Sequence, residues 1–323
     1  MNLKNIIVPG VSGYIGGQTA IALHEAGHNV FGIDLQPLPK HLESFVTQFY
    51  QTDFCSGRGL DLMSNSGIDA VVHCAGTSLV GPSKANPQEY FHNNVGKTLA
   101  MLDSLIELEQ RPRVIFSSSA SVYGDPVMTP CEEIDPVAPI SPYGQSKLMI
   151  EWFLESYAVA YGLDFVAFRY FNAAGAEPNT FDLGQAPGAG HIIAKLLESK
   201  IRDEFFTLNG IDFDTPDRTC IRDYIHVWDL ADAHNRAIHW NQDNKFAIFN
   251  LGTNSGISNQ EIVDYITLNY GTLKIQTGPR RPGDPDQLIA DATLAKNILQ
   301  WEPRYSTLSQ IVDSAYKWYT RGI

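Results

Sequence analysis

Tyr143 and Lys147 stand four residues apart at the head of an apolar helical run, a spacing that stacks a phenol and an ammonium on one helix face. A free tyrosine titrates near 10, so a phenolate at neutral pH needs a shift of about three units, roughly 4 kcal/mol, and a nearby cation favours the charged form. The pair therefore reads as a general base with its supporting cation. Tyr and Lys at this spacing also decorate solvated helix faces, so context decides between the two readings. Upstream, the β-type run Arg113-Val114-Ile115-Phe116 delivers a cluster of hydroxyls, Ser117, Ser118, Ser119 and Ser121, suited to orienting a substrate hydroxyl. Farther upstream lies a glycine-rich turn of the kind that receives phosphate.

The elements that carry these groups alternate strand and helix. Ile6-Ile7-Val8 reads as a short buried strand, followed by Gly10, Gly13 and Gly16 in a G-x-x-G-x-x-G turn and a helix closed by Gly27. The glycines let the backbone approach a pyrophosphate, and the helix N-terminus adds free N–H groups and the positive end of a dipole. A second strand, Val30 to Ile33, ends at Asp34, close to the roughly 20-residue offset at which an acid meets the adenosine ribose diol. Asp34 repels a 2′-phosphate and Leu35 to Pro39 offer no Arg to receive one, so NAD is expected over NADP. Third and fourth strands, Phe49 to Thr52 and Ala70 to His73, end at Asp53-Phe54 and at Cys74-Ala75-Gly76. Both ends fall at the carboxyl edge where open α/β sheets bind ligands, with Asp53 placed to meet adenine and the small Ala75-Gly76 to let the cofactor pass. His73 reads as a packed strand-end residue.

A long helix is expected from Pro87 to Glu109, with Val95, Leu99, Leu102 and Ile106 on one stripe. Asn93 and Asn94 interrupt it with poor helix formers, as a solvated blemish or as a ligand contact. A Pro-rich loop leads to the Tyr143 helix, which runs to about Tyr161 and is apolar nearly all round, through Leu148, Met149, Ile150, Trp152, Phe153, Leu154 and Tyr157. Such a helix must be covered on both sides, by another lobe or by another subunit. Phe165 to Tyr170 is a sixth strand and Phe246 to Phe249 one more.

Elsewhere the alternation breaks. Residues 172–223 are rich in Gly, Pro, Asn and Asp around one helix from about His191 to Lys200, and helices follow near 258–269, 292–300 and 307–319. The fold class is α/β, a Rossmann-type doubly wound parallel sheet with a smaller C-terminal mixed α/β substrate lobe. The expected division is residues 1–173 plus about 224–256 for NAD binding, and about 174–223 plus 257–323 for the lobe. Arg280-Arg281-Pro282-Gly283-Asp284 is a cationic loop in that lobe, either merely solvated or holding a nucleotide diphosphate by charge-assisted hydrogen bonds.

With 323 residues, 44% hydrophobic and 18% charged, the chain suits one or two globular domains rather than disorder. Cys55, Cys74, Cys131 and Cys220 lack C-x-x-C or metal-ligand spacing, so reduced thiols are expected, with neither a disulfide framework nor a metal site. Met1 to Asn5 runs straight into a strand and no apolar run reaches membrane-spanning length, which points to the cytoplasm and to no membrane partner. A formal net charge of -13 disfavours nucleic acid and leaves any anionic ligand to local donors.

Six motifs occur in order: Gly10-x-x-Gly13-x-x-Gly16, Ser119-Ala120-Ser121-Val122-Tyr123-Gly124, Tyr143-x-x-x-Lys147, Arg169-Tyr170-Phe171-Asn172, Arg222-Asp223-Tyr224-Ile225-His226-Val227 and Arg281-x-Gly283-Asp284. Together the chain resembles the extended short-chain dehydrogenase/reductase superfamily, and most its UDP-glucose (UDP-galactose) 4-epimerases. The resemblance covers nearly the whole chain; the first three motifs mark the superfamily and the later ones the epimerase-like branch. It implies tightly held NAD, with Tyr14 and Ile15 at the pyrophosphate, Asp34 on the ribose, Asp53 and Phe54 at adenine, and Asn94 and Phe171 lining the cofactor. Lys147 would hold the nicotinamide ribose, Tyr143 would be the base and Ser119 the catalytic hydroxyl. On the substrate side Asn172, His191, Ile192, Arg222, Arg281 and Asp284 match positions that grip uridine and pyrophosphate. Asn209 and Leu208 stand where an Ile-Phe pair is common beside the uracil, and Leu288 takes the place of a gate beside the sugar ring.

The chain departs from the family pattern at Pro9, Val11 and Gly17 in the nucleotide turn, and at Ser78, where a Lys is common. The implied chemistry is NAD-dependent epimerisation at C4 of a nucleotide-diphosphate sugar, of the UDP-glucose/UDP-galactose type, through a transient 4-keto sugar that turns over and is reduced on its other face. Dehydratases and uronate decarboxylases of the superfamily place acids just after the catalytic hydroxyl, where this chain has Ala120 and Ser121. A UDP-uronate or UDP-N-acetylhexosamine 4-epimerase is the alternative within the class, and a non-catalytic NAD-dependent sensor the alternative outside it. Family members typically dimerise, so a homodimer is expected in which the 87–109 and 143–161 helices pair with their symmetry mates.

Overall fold

Seven strands among the described residues line up as one parallel sheet. In chain order the strands are β1 (Asn5–Pro9), β2 (Asn29–Asp34), β3 (Gln48–Gln51), β4 (Ala70–His73), β5 (Arg113–Ser119), β6 (Phe165–Tyr170), β7 (Asn172–Ala174), β8 (Phe205–Asn209), β9 (Ile221–Arg222), β10 (Tyr224–His226), β11 (Phe246–Leu251), β12 (Ile257–Ser258), β13 (Lys274–Gly278) and β14 (Gln287–Leu288). The large sheet takes the order β11-β6-β5-β4-β1-β2-β3, every neighbour parallel. The order reverses between β1 and β4, and the crevice beyond their carboxyl ends is where such sheets receive ligands. The computed structural model describes residues 3–64, 67–180, 182–240, 246–281 and 283–321; Pro282 of the cationic loop lies outside them.

The helices are α1 (Tyr14–Glu25), α2 (Gly57–Met63), α3 (Val80–Ala85), α4 (Pro87–Tyr90), α5 (Lys97–Ile106), α6 (Pro142–Tyr161), α7 (Ile192–Arg202), α8 (Val227–His239), α9 (Asn259–Tyr270), α10 (Thr293–Leu299) and α11 (Leu308–Tyr319). Alternate residues of β1 feed two cores, as the two-residue period of a strand requires. Ile6 and Val8 pack with Leu23, Leu230, Ala237 and Phe249 on the α1–α8 side. Ile7 packs with Met101, Leu105, Ile150 and Leu154 on the α5–α6 side. The small strands form a parallel β10-β7 pair, a β12-β9-β14 sheet and a β13-β8 pair; α7, α9 and α11 pack around Leu196, Leu197, Ile262, Ile266 and Ile311. Within the stretch assigned to this lobe, Ala292, Ala295, Leu299 and Trp301 are buried in the α1–α8 core instead, so α10 leans on the large sheet.

The helix expected from Pro87 to Glu109 is three pieces: α4, a π-helical segment over Phe91–Gly96, and α5, which ends at Ile106. Asn94 gives the reason. Its carbonyl oxygen accepts from the Thr77 N–H at 2.8 Å, and its amide donates to the Thr77 carbonyl and to Ser146 Oγ, each at 3.0 Å. A widened turn turns this side chain inward against the loop after β4. Asn94 is thus a buried clamp, not a solvated blemish.

Helix α6 begins where its sequence says it must. Ser141 caps it by accepting from the Gly144 N–H at 3.1 Å, Pro142 opens the first turn, and Gly162 ends it in a left-handed conformation. One face, through Ile150 and Leu154, is buried under the sheet. The other face leaves Trp152 53% and Val159 79% exposed, so this chain alone does not cover it.

Candidate active site

Ser119 is the last residue of β5 and Tyr143 lies in the first turn of α6, so strand end and helix start bring them together. Ser119 Oγ accepts from the Ser121 N–H at 3.2 Å, which fixes its rotamer. Burial raises the Tyr143 pKa above the ordinary phenol value, the hydrogen bond with Ser119 works against that rise, and Tyr90 adds to it. The depression expected from Lys147 is not found. The Lys147 ammonium donates to the Ser117 carbonyl at 2.7 Å, 4.8 Å from the Phe116 ring centre and 5.8 Å from that of Tyr143. Burial pushes Lys147 itself down to about 8, with Cys74 and Glu151 pulling the other way. Desolvation penalises both charges, and in the protein alone Tyr143 is a phenol.

A buried network beneath this pair escaped the sequence reading. Glu151, one turn beyond Lys147, forms an ion pair with Arg169 of β6 at 2.7 Å, with further contacts at 3.1 and 3.2 Å, and accepts from Ser118. Arg169 also donates to the Tyr123 hydroxyl at 2.9 Å and the Glu133 carbonyl at 3.0 Å; Tyr123 donates to Asn250 of β11 at 2.7 Å. The available signal was an acid, Glu151, four residues after Lys147 on a largely apolar helix. His73, by contrast, is the packed residue its position implied: it is buried, pairs with Thr98 Oγ1 at 2.8 Å, and burial holds its pKa down to about 3.

The glycine turn passes the test for a dinucleotide. Gly10 has φ +87°, and a Cβ there would lie 2.6 Å from the Ala75 nitrogen; one on Gly16 would lie 2.1 Å from the Gly10 oxygen. No side chain larger than hydrogen fits, so the turn stays open to a close backbone approach. Helix α1 follows Gly13 at its N-cap, with no side-chain cap and no acid in its first turn, which leaves its N–H groups for an anion. Tyr14 donates to the Gly175 carbonyl at 2.7 Å, joining α1 to the chain after β7, and Ile15 packs against the α1–α8 core. Asp34 accepts from the Ser12 N–H at 3.0 Å and the Gln36 N–H at 2.9 Å, one bond to each oxygen. Asp53 is paired with Lys97 at 2.6 Å. The Phe54 ring is turned into the core against His73, 5.0 Å between ring centres, so its backbone is the part left for a ligand. Gly76 rests on Asn94, whose oxygen would lie 2.9 Å from a Cβ there.

On the lobe side Phe171 is buried in a cluster with Tyr123 and Leu148, against which Leu288 packs. Asn172 begins β7 and holds its N–H on the Asp223 carbonyl at 2.9 Å, while its buried side-chain amide nitrogen has no partner among the described residues. Arg222 on β9 sits in register with Leu288 on β14, donates to the Pro285 carbonyl at 2.8 Å and reaches Asp284 at 3.5 Å. Its neighbour Asp223 is buried, accepts from the Thr253 N–H at 2.8 Å and the Ala290 N–H at 3.2 Å, and is pushed up to about 6 by burial. Arg281 is exposed at the loop; Arg280 is committed to Asp286 at 2.9 Å and lies 4.1 Å from the Phe213 ring centre. His191 and Ile192 start α7, the first exposed and the second half-buried. Asn209 ends β8 half-buried, while Leu208 is buried in the lobe core rather than open to a ligand.

Residues 6–252 match the NAD dependent epimerase/dehydratase family. Similar proteins include the UDP-glucose 4-epimerase of Halalkalibacterium halodurans, 40% identical over 97% of this chain and 95% of that one. The UDP-glucose 4-epimerase of Lacticaseibacillus casei is 38% identical over 97% of this chain and 96% of its own length. Among solved structures, UDP-glucose 4-epimerase from Brucella ovis in complex with NAD superposes with a TM-score of 0.90 at 38% identity, covering 97% of both chains. The enzyme from Bifidobacterium longum in complex with NAD+ and UDP gives 0.91 at 32% identity over 99% of both. With a match that takes in the whole large sheet and relatives at that identity over nearly its full length, the chain belongs to the NAD dependent epimerase/dehydratase family.

Proposed function

We propose that this protein interconverts the C4 epimers of a UDP-hexose of the UDP-glucose/UDP-galactose type, with no net redox change. What carries the reading is one juxtaposition: Ser119, Tyr143 and Lys147 meet at the carboxyl edge of the sheet, beside a glycine turn no side chain can fill, in a chain whose relatives are UDP-glucose 4-epimerases. NAD, when bound, supplies the acceptor and later the donor of the C4 hydride. Gly10, Gly13, Tyr14, Ile15 and Gly16 would hold its pyrophosphate, Asp34 its adenosine ribose, and Asp53 and Phe54 its adenine. Ala75, Gly76, Asn94, Lys147 and Phe171 would enclose the remainder.

Tyr143, which must be ionised to phenolate in the NAD-loaded site, takes the C4 hydroxyl proton as the C4–H bond breaks, and Ser119 shares the hydrogen bond to that oxygen. The product of this half is a 4-keto sugar. Asn172, His191, Ile192, Asn209, Arg222, Arg281 and Asp284 grip the nucleotide diphosphate and leave the sugar free to turn. Tyr143 then returns the same proton as the hydride comes back on the opposite face, so protons and electrons balance. The chain divides into the two units given above, 1–173 with about 224–256 binding NAD and the rest binding the sugar nucleotide.

It acts as a homodimer in which the 87–109 stretch and α6 pair with their symmetry mates, a reading supported by Trp152 and Val159, which leave an apolar α6 face open. Four free cysteines fit a reducing cytoplasm, and the interconversion of UDP-glucose and UDP-galactose gives the protein its role in galactose metabolism. The deciding experiment incubates the purified protein with UDP-glucose and with UDP-galactose and separates the products. Each is expected to yield the other with no accumulation of reduced cofactor; no conversion of either sugar would reject the proposal.

A further inference from the structure

Behind Ser117, on the α8 side of the sheet, runs a buried chain of hydrogen bonds that the reaction as described leaves unused. Tyr170 ends β6 in register with Ser119 of β5 and belongs to the α1–α8 core. Its hydroxyl oxygen lies 2.9 Å from Ser117 Oγ and 2.5 Å from Nε2 of His234, a fully buried residue of α8. The same imidazole meets the Leu230 carbonyl through Nδ1 at 2.7 Å. Phe168 packs edge-on against the ring, 5.3 Å between centres. Ser117 Oγ is 3.4 Å from Cys74 Sγ, just past the end of β4.

The polarity of this chain is fixed at its far end. A carbonyl only accepts, so the proton of the neutral imidazole sits on Nδ1 and Nε2 is left as a lone pair. Tyr170 then gives its one hydrogen to His234, and its oxygen accepts from Ser117. Burial holds the His234 pKa down to about 4, against the pull of the Leu230 carbonyl, so the ring stays neutral at working pH.

We infer that Tyr170 and His234 are positioning residues for the C4 reaction, a reading that rests on the function proposed above: acting through Ser117, they hold the end of β5 where its carbonyl takes the Lys147 ammonium and its last residue meets Tyr143. Ser117 is the shared point. Its carbonyl accepts from Lys147 of α6 at 2.7 Å, while its hydroxyl is held from β6 and α8. Without the Tyr170 oxygen that hydroxyl keeps only the long contact with Cys74, and the strand end carrying Ser119 loses a brace. A buried polar chain with every member satisfied selects one arrangement. Reacting groups displaced by about 1 Å can lose about a hundredfold in rate, so a brace that never touches substrate acts on kcat.

The test compares Tyr170→Phe and His234→Leu with wild type, each loaded with NAD. Both should lower kcat for UDP-glucose at least about tenfold with KM little changed, since the substrate contacts remain. The double variant should be no slower than the slower single one, because each change breaks the same chain. His234→Gln, which keeps an acceptor near the place of Nε2, should regain most of what His234→Leu loses. Independently of turnover, the titration of Lys147, followed by competitive amine labelling of the protein without NAD, should move to lower pH in Tyr170→Phe as the Ser117 carbonyl loosens. Cys74 and His73 from the β4 end and Glu151 and Tyr143 from α6 also face that ammonium, and the substitution alters none of them. This titration is read whether or not a sugar is converted, so it separates the positioning role from the proposed reaction. A purely structural role would lower Tm and leave it in place. An undiminished kcat in Tyr170→Phe, additive losses in the double variant, or an unmoved Lys147 titration overturns the assignment.

Discussion

Lys147 donates to the backbone carbonyl of Ser117 at 2.7 Å and not to the phenol four residues before it. The cation is thereby anchored to β5, the strand that also ends in Ser119. Hydroxyl and ammonium share one rigid edge, and the Tyr143 phenol on α6 is set against both.

Tyr143→Phe is expected to abolish turnover while NAD and UDP-sugar remain bound, because only the ionisable oxygen is lost. Ser119→Ala should be milder, since it removes one hydrogen bond. Turnover and ligand binding are measured side by side in each variant. A Tyr143→Phe enzyme that kept more than about a tenth of wild-type kcat, a loss of only about 1.4 kcal/mol, would refute the assignment of the base.

A second expectation concerns pH. Lys147 titrates near 8, so kcat should fall as pH rises through that value and the cation is lost. Glu151 raises the Lys147 pKa, and Glu151→Gln should therefore move that limb to lower pH. The same change leaves Arg169 buried without its carboxylate, at a cost of roughly 3–5 kcal/mol, and should lower Tm. For stability the sign is opposite to the usual lysine case. A folded-state pKa below the unfolded one means the unfolded chain binds more protons between about 8 and 10.5, so this group's contribution rises with pH there. Lys147→Met without NAD should melt no lower than wild type at pH 7. A pH limb unmoved in Glu151→Gln, or a clear loss of Tm in Lys147→Met, contradicts this account.

Most of the large sheet was legible because its inner parallel strands, covered on both faces, are short apolar runs bounded by turns, and because Gly10, Asp34 and Ala75 punctuate its carboxyl edge. The pairing of Glu151 with Arg169 was not, since 18 residues and a helix separate them in the chain. Nor was the break at Asn94, where a buried amide satisfying the Thr77 backbone outweighs the stripe of Val95, Leu99 and Leu102. The sign of the Tyr143 shift was misread for a related reason: spacing shows that Lys147 is near, but not that burial penalises both groups or that Ser117 takes the ammonium.

The open face of α6 gives a third expectation. Light scattering at micromolar concentration should return the mass of a dimer, and Val159→Glu, which places a charge at a residue 79% exposed in the single chain, should shift it toward monomer without lowering the monomer's own stability. A monomeric wild type would leave the apolar face unexplained and remove the homodimer.

The last expectation concerns sugar size and rests on Leu288. It lies on β14 in register with Arg222 and packs, half-buried, against the cluster that holds Phe171, Tyr123 and Leu148. In the proposed site this branched side chain would fill volume beside the sugar while leaving some give, so plain hexoses should be preferred and N-acetylhexosamines turned over poorly. Leu288→Ala removes methylenes rather than a hydrogen-bonding group. Such changes alter discrimination by only about 1–3 kcal/mol, so the ratio of kcat/KM for UDP-N-acetylglucosamine to that for UDP-glucose should rise by roughly 5- to 150-fold at most. Because the substitution leaves Ser119, Tyr143 and Lys147 untouched, the rise should come from the N-acetylated sugar, with kcat for UDP-glucose little changed. Equal kcat/KM for the two sugars in the wild type, or a ratio that does not move in Leu288→Ala, would show that the volume limit lies elsewhere in the site.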